Sequence, residues 1–373
     1  MIKLKLVLLI SSLLLFTGCY NYRELDDLDI VTAVSLDKTN TNFLLTAQII
    51  NTQKPSNNES SSNKFYTFKA EGKTVQEAFR NIINTSPRRI YFNHNQLLVL
   101  SETISKEGLG NIIDLFIRDN ESRKDYSVII ARNTPAHKII ETITKIDQVN
   151  AFNIKSSLNS NKEHLGIINN TTLSQTINDY LDPNKEPSIP SISLVGDKED
   201  NSSNKQLENT TSGAHLQVET MSIFKNNKLS RYLNKDESLS LNILNNNVLN
   251  IVLTYPCNKN KYISLEISNI KTSLSYKNNN IIISIKGDMN LCETTCSYDL
   301  LNKNTLSSIE KNTENYAKSI ISKTLNTLIN DNDLLVTNIP SFLYKNKIKN
   351  YQDIKFKVHF EFISVGSSLK DVS

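Results

Sequence analysis

Over the first half of this chain the hydrophobic period switches repeatedly between two and 3.6 residues, and that switching limits the folds open to it. Residues 29–36 carry Ile30, Val31 and Val34, and residues 42–51 alternate through Phe43, Leu45, Ala47 and Ile49. Both read as strands, with Lys38 to Thr41 as a hairpin turn. Residues 54–64 are Pro, Ser and Asn without periodicity and read as a mobile loop, and residues 65–70 as a third strand. Gly72 stops that strand. Val75, Ala78, Phe79, Ile82 and Ile83 then share one helical face. Thr74 is the expected N-cap, with Glu77 as its capping-box partner, and Pro87 ends the element. Residues 89–92 and 96–100 return to strand, 105–117 to helix and 126–131 to strand. Thr134-Pro135 opens another helix, with Pro in the first position and a face of Ile139, Ile140 and Ile143. Such alternation predicts helices packed on a mixed sheet.

Beyond residue 147 the pattern is looser but mostly helical to 181, until Pro183, Pro187 and Pro190 break it. Residues 189–195 read as extended. The charged, Asn/Ser-rich stretch 197–213 is the expected linker. A hairpin follows (216–224 and 229–233 around Asn226-Asn227), then a short helix at 235–245. Strands are expected at 248–254, 262–276 and 281–286, with Asn278 to Asn280 as a turn. A long helix is predicted over about 302–330, striped by Leu306, Ile309, Thr313, Tyr316, Ile320, Thr324 and Leu328. A final strand is predicted over about 352–363, where Ile354, Phe356, Val358, Phe360 and Phe362 alternate with polar residues. The fold class is therefore α+β and multi-domain: mixed sheets with packed helices, an N-terminal domain over 29–196 and a C-terminal domain over 214–373.

The first residues carry a different signal. Lys3 and Lys5 precede an apolar run of eleven residues, Leu6 to Phe16, and Thr17-Gly18-Cys19 closes it. The run is too short for a bilayer core, which takes about twenty residues. It reads as a signal peptide (1–18) ending in a lipobox. Cys19 would become an S-diacylglycerol, N-palmitoyl cysteine, followed by a short polar tether (19–28), and the body would be lipid-anchored to the outer face of its membrane. The alternative is an ordinary leader with an incidental cysteine. Net charge is +4, leaving +2 after the leader, too near neutral to argue for nucleic acid. Of Cys257, Cys292 and Cys296, the last two are four apart and are the pair considered for a disulfide, with one thiol left over. No histidine lies near that pair, so zinc is not expected.

Phosphate-binding glycine loops, zinc-protease signatures and nucleophile elbows are all missing from the sequence, and no catalytic residue, metal or cofactor is assigned. The five histidines are scattered. His359 falls on the polar side of a strand and reads as solvated. His94, between two strands and preceded by Arg88 and Arg89, is expected to be a buried, hydrogen-bonded structural histidine. The run from Arg118-Asp119 through Arg123 to Lys124 reads as a solvated connection. Its alternative reading is a pair of ion pairs, from Arg118 and Arg123, locking helix to sheet.

In order, the chain presents Gly18-Cys19-Tyr20-Asn21-Tyr22-Arg23-Glu24-Leu25, a strand ending in Asp37, and Gly72-Lys73-Thr74-Val75-Gln76-Glu77-Ala78. Arg89 through His94 to Ser101-Glu102 follows, then Arg118-Asp119 with Arg123, then a hairpin from Ile223-Phe224-Lys225 to Leu233 leading to Glu237. This ordered set resembles the Ger(x)C family of spore germination lipoproteins. It departs from the family at Tyr20, where Trp is usual, and at Arg231, where a hairpin glycine is common. The resemblance implies a non-catalytic lipoprotein subunit of a nutrient germinant receptor. It would act with two integral membrane subunits on the outer face of the spore inner membrane. Two rival classes are a substrate-binding lipoprotein of a transporter and an extracytoplasmic hydrolase. The first should show two similar lobes joined by hinge strands, which the β-heavy second half opposes.

Overall fold

A computed structural model describes residues 27–51, 64–118, 123–144, 149–196 and 214–364. Cys19, Asp119 and the 197–213 stretch lie outside them. The first sheet is built from β1 (Leu28–Thr39), β2 (Asn42–Ile50), β3 (Phe65–Gly72), β4 (Arg89–Tyr91), β5 (Leu97–Ser101), β6 (Ser127–Ala131), β7 (Ser188–Val195), β8 (His215–Lys225) and β9 (Lys228–Tyr232). The strand order is β3-β2-β1-β5-β6-β7-β8-β9, with β4 beside the start of β1. The central strands β1, β5, β6 and β7 run parallel, and an antiparallel hairpin extends the sheet at each end.

Every residue of β5 and β6 is buried, which requires cover on both faces. Alternate residues divide between two cores. Leu98, Leu100, Val128 and Ile130 meet α1 (Val75–Asn81), α2 (Glu102–Glu107), α3 (Gly110–Arg118) and α6 (Leu173–Leu181). Leu97, Val99, Ile129 and Ala131 meet α4 (Ala136–Glu141) and α5 (Asn150–His164) on the opposite face. Period-two strands and period-3.6 helices thus meet as the sequence pattern requires.

Local signals decide the helix ends. Thr74 accepts from Glu77 N at 3.1 Å, while the Glu77 carboxylate reaches Lys73 N at 2.7 Å, one residue short of a reciprocal capping box. The helix expected over 105–117 is two helices. Gly108, at φ 126°, breaks it, and Leu109 N turns away to donate to Asn227 O at 3.0 Å. The apolar spacing hid this break because Leu109 stays buried across it. Pro135 is the N-cap of α4 and not its first residue. The cap's hydrogen bonds come from Asp37 on β1, whose two oxygens accept from Ala136 N at 2.7 Å and His137 N at 2.8 Å. Asp37 is 6% exposed, so Asp37→Ala strands two N–H groups in the interior. Chemical denaturation should show a loss of about 2 kcal/mol, with Asp37→Asn recovering part of it; an unchanged midpoint would refute the cap.

The second sheet has the order β10-β11-β12-β13: β10 (Ile251–Asn258), β11 (Lys261–Lys277), β12 (Asn280–Thr294) and β13 (Asp353–Ser364). All pairs are antiparallel except β12 with β13. The helices of this half are α7 (Lys235–Leu244), the long α8 (Lys303–Asn330) and α9 (Ile339–Lys345). The buried face of α8 carries Ile309, Thr313, Thr324 and Leu328 of the predicted stripe together with Ala317, Ile321 and Leu325, while Leu306, Tyr316 and Ile320 are only partly buried at its margin. From α8, Glu314 and Glu310 accept from Phe360 N at 3.1 Å and Phe362 N at 3.2 Å, covering the free edge of β13.

The 197–213 stretch, the expected linker, lies within the course of the first sheet and not between the two sheets. That stretch joins β7 and β8, which are antiparallel partners, so the sheet continues across it and the change to the second sheet comes after β9. The two halves meet closely. Gly166 follows α5 at φ 67°, and its carbonyl and that of Ile167 accept from Asn242 Nδ2 of α7 at 2.9 and 3.0 Å. Ten asparagines, among them Asn40, Asn226, Asn227, Asn278 and Asn279, hold positive φ among the described residues. They take the left-handed turn positions that glycine usually fills.

Candidate functional site

A broad concave feature lies where α1, the turn after it and α3 lean over the first core. Its cavity measures about 1340 Å³. Phe79 of α1, Phe92 and Phe116 of α3 form an aromatic wall above Val34, Ile90 and Leu98. The rings meet edge to face, Phe79 with Phe92 at 5.1 Å and Phe79 with Phe116 at 6.2 Å, so the wall is fixed by ring geometry as well as burial. Lys73, Arg80, Arg88, Arg89 and Arg118 surround it.

The turn that carries Arg88 and Arg89 is tied to the start of β1. Ser86 Oγ donates to Asp29, Arg88 N donates back to Ser86 Oγ at 3.0 Å, and the Arg88 guanidinium lies 3.9 Å from Asp29. Arg118 donates to Asp114 one helical turn back at 2.8 Å. That hydrogen bond holds the Asp114 carboxyl below its ordinary range and the guanidinium above its own. Cations over an aromatic floor can hold an amphiphilic anion; the described lining offers no paired nucleophile and base.

The sequence candidates are scattered relative to this groove. Arg118 lies on its rim. Arg123 pairs with Asp125 at 3.0 Å, outside it. Both pairs are local and exposed, so neither locks helix to sheet. His94 is exposed, not buried as expected. In the tight turn Phe92–His94, Phe92 packs into the core and the His94 ring points out, 5.6 Å from the Tyr91 ring. His359 is exposed, 3.3 Å from Glu314. Among the described residues no group of three or more His, Cys, Asp and Glu could hold a metal.

Sequence reasoning missed two arrangements. Lys73 and Arg80 flank a helix whose apolar face took all the attention, although their spacing places them on its solvent side. Arg231 of β9 reaches Glu237 at 3.1 Å, Asp331 at 3.7 Å and Asp333 at 3.8 Å, and Lys225 reaches Asp333 at 3.4 Å. Asp333 is 4% exposed. This network clamps the β8–β9 hairpin to the end of α8, through partners about a hundred residues apart in sequence. The cysteine expectation is also corrected: the disulfide joins Cys257 to Cys296, and Cys292 is free and exposed. Cys257 lies one residue before the end of β10 and Cys296 just beyond β12, so the bridge crosses the start of β11.

Comparison with known proteins gives consistent matches. A family model described as "Spore germination protein N-terminal domain" matches residues 21–194, and one described as "Spore germination B3/ GerAC like, C-terminal" matches residues 219–363. Spore germination protein KC of Bacillus subtilis (strain 168) is 27% identical over 320 residues, covering 82% of this chain and 78% of that protein. Putative spore germination protein YfkR of the same organism is 23% identical over 245 residues, 63% of this chain and 59% of its relative. Spore germination protein A3 of that organism is 27% identical over 181 residues, 44% of this chain and 48% of that protein. The crystal structure of the GerBC protein aligns at a TM-score of 0.47 and 17% identity, covering 88% of this chain and 96% of that one.

Proposed function

We infer the role of this chain from its membership: it belongs to the GerAC-like family of spore germination proteins, whose N- and C-terminal domains it carries in order. It is a receptor subunit for nutrient-triggered spore germination, part of a multi-subunit, membrane-associated assembly. The observation that carries this is the pair of family matches, which together run from residue 21 to residue 363. The family is not one of known enzymes. The transporter alternative calls for two similar lobes, whereas a mixed sheet of nine strands is joined here to one of four.

The finer reading is a non-catalytic subunit held by lipid at Cys19 on the outer face of the membrane, working with two integral membrane subunits. The leader Lys3 to Gly18 supports it. Among the described residues no helix is long and apolar enough to cross a membrane. Two acyl chains make a stable anchor where one gives reversible binding. Anchoring raises the body's effective concentration beside its partners.

Deleting the gene in a strain without redundant receptors should abolish nutrient-triggered loss of spore refractility; normal germination would sink the receptor reading. Cys19→Ala should remove fatty-acid labelling and move the chain from the membrane to the soluble fraction. Unchanged labelling and membrane recovery would rule out the anchor while leaving the family assignment untouched.

A further inference from the structure

Of the five cations around the groove, Arg88 and Arg118 face Asp29 and Asp114, while Lys73, Arg80 and Arg89 are exposed and have no ion pair among the described residues. The same rim is where the described chain begins. Leu28 pairs with Arg89 and Ile30 with Tyr91. Cys19 lies only eight residues before Asp27, a reach of at most about 28 Å for extended chain. A lipid on Cys19 therefore keeps this rim close to the bilayer surface, whichever way the rest of the body turns. Beside the rim sits Ile83, 51% exposed on the groove wall.

We propose that the groove between α1 and α3 is a membrane-docking surface: Lys73, Arg80 and Arg89 meet anionic phospholipid headgroups, and the apolar wall at Ile83 sits at the lipid boundary. The proposal rests on the Cys19 anchor reading. Acyl chains and a basic patch are complementary membrane signals, and here the chain's geometry puts them side by side. Docking fixes the orientation of the body relative to the bilayer.

The chain contains no tryptophan, so one introduced residue reports alone. The mature lipidated chain carrying Ile83→Trp would be placed in vesicles of phosphatidylcholine, with or without phosphatidylglycerol. A blue shift of its emission is expected only with phosphatidylglycerol, reversed by high salt. Reversing Lys73, Arg80 and Arg89 to Glu should remove the shift, each reversal weakening the contact by at least about fivefold, the loss expected from one cation near an anionic surface. Tyr344→Trp, 71% exposed on the second half, should show no shift. Equal Ile83→Trp emission on both vesicles overturns the proposal without any need for the charge variants. A shift at Tyr344→Trp as large as at Ile83→Trp also overturns it. So does a shift with an acidic polyglutamate peptide but not with phosphatidylglycerol, which would assign the groove to an acidic protein segment. Failure of the lipidated chain to sediment with phosphatidylcholine vesicles would instead break the anchor reading.

Discussion

Cys257→Ser, or reduction of the Cys257–Cys296 bridge, is expected to lower the stability of the second half by about 4 kcal/mol, the chain-entropy value for a closed loop of this length. The sequence separation is 39 residues. The bridge links β10 and the end of β12, two strands that each pair with β11 and not with each other. It therefore confines the unfolded chain over the β11–β12 hairpin and ties that hairpin to the end of β10. Urea unfolding with and without reductant measures the effect. Cys292→Ser serves as the control, because Cys292 is exposed and unbridged. Two results would contradict the pairing: an unfolding curve unmoved by Cys257→Ser, or loss of the bridge on Cys292→Ser as read by mass spectrometry after alkylation.

Gly166→Val should cost a similar amount, about 4 kcal/mol, from two separate sources. A β-branched residue held at φ 67° pays the left-handed penalty, about 1–2 kcal/mol. A Cβ there would also lie 2.7 Å from Ile251 Cγ2 and 2.9 Å from Val248 Cγ1, an overpacking that typically costs about 1–3 kcal/mol. Both neighbours belong to the second half, so the strain falls on its junction with the first. Gly110→Ala is the comparison: its added carbon meets only the Tyr180 hydroxyl, at 3.3 Å. Thermal unfolding of Gly166→Val that matches the parent would mean that the halves do not approach as described. Spores carrying the variant should germinate poorly on nutrients, because a loosened junction disturbs both domains at once.

What could be read in advance follows from how local each signal is. The Thr74 cap, the Asn226-Asn227 and Asn278–Asn279 turns and the alternation of β13 depend on neighbours within a few residues, and they stand where expected. The return of β8 and β9 to the first sheet does not. A polar stretch before a hairpin reads as a boundary, whereas pairing with β7 is settled by ladder bonds such as Ser188 with Ile223. The disulfide failed for the same reason: nearness in sequence favoured Cys292, nearness across the meander selected Cys257. At the groove Arg118 is the one lining cation that the sequence marks as a possible ion-pair partner. Lys73, Arg80 and Arg89 come together through β4 pairing beside β1, a contact no periodicity contains. Asparagine supplies most of the positive-φ positions among the described residues.

Those turn asparagines bear on how the molecule ages. Deamidation proceeds when the following backbone nitrogen attacks the side-chain amide, and a small following residue speeds it; asparagine is among the residues lost from heat-adapted proteins for this kind of lability. The ten at positive φ are followed by Thr, Asn, Lys, Ile or Asp, never by Gly. A dormant cell cannot replace its receptors. Turns that avoid both glycine's slackness and the Asn-Gly dipeptide's rapid decay would keep this subunit chemically intact through a long wait.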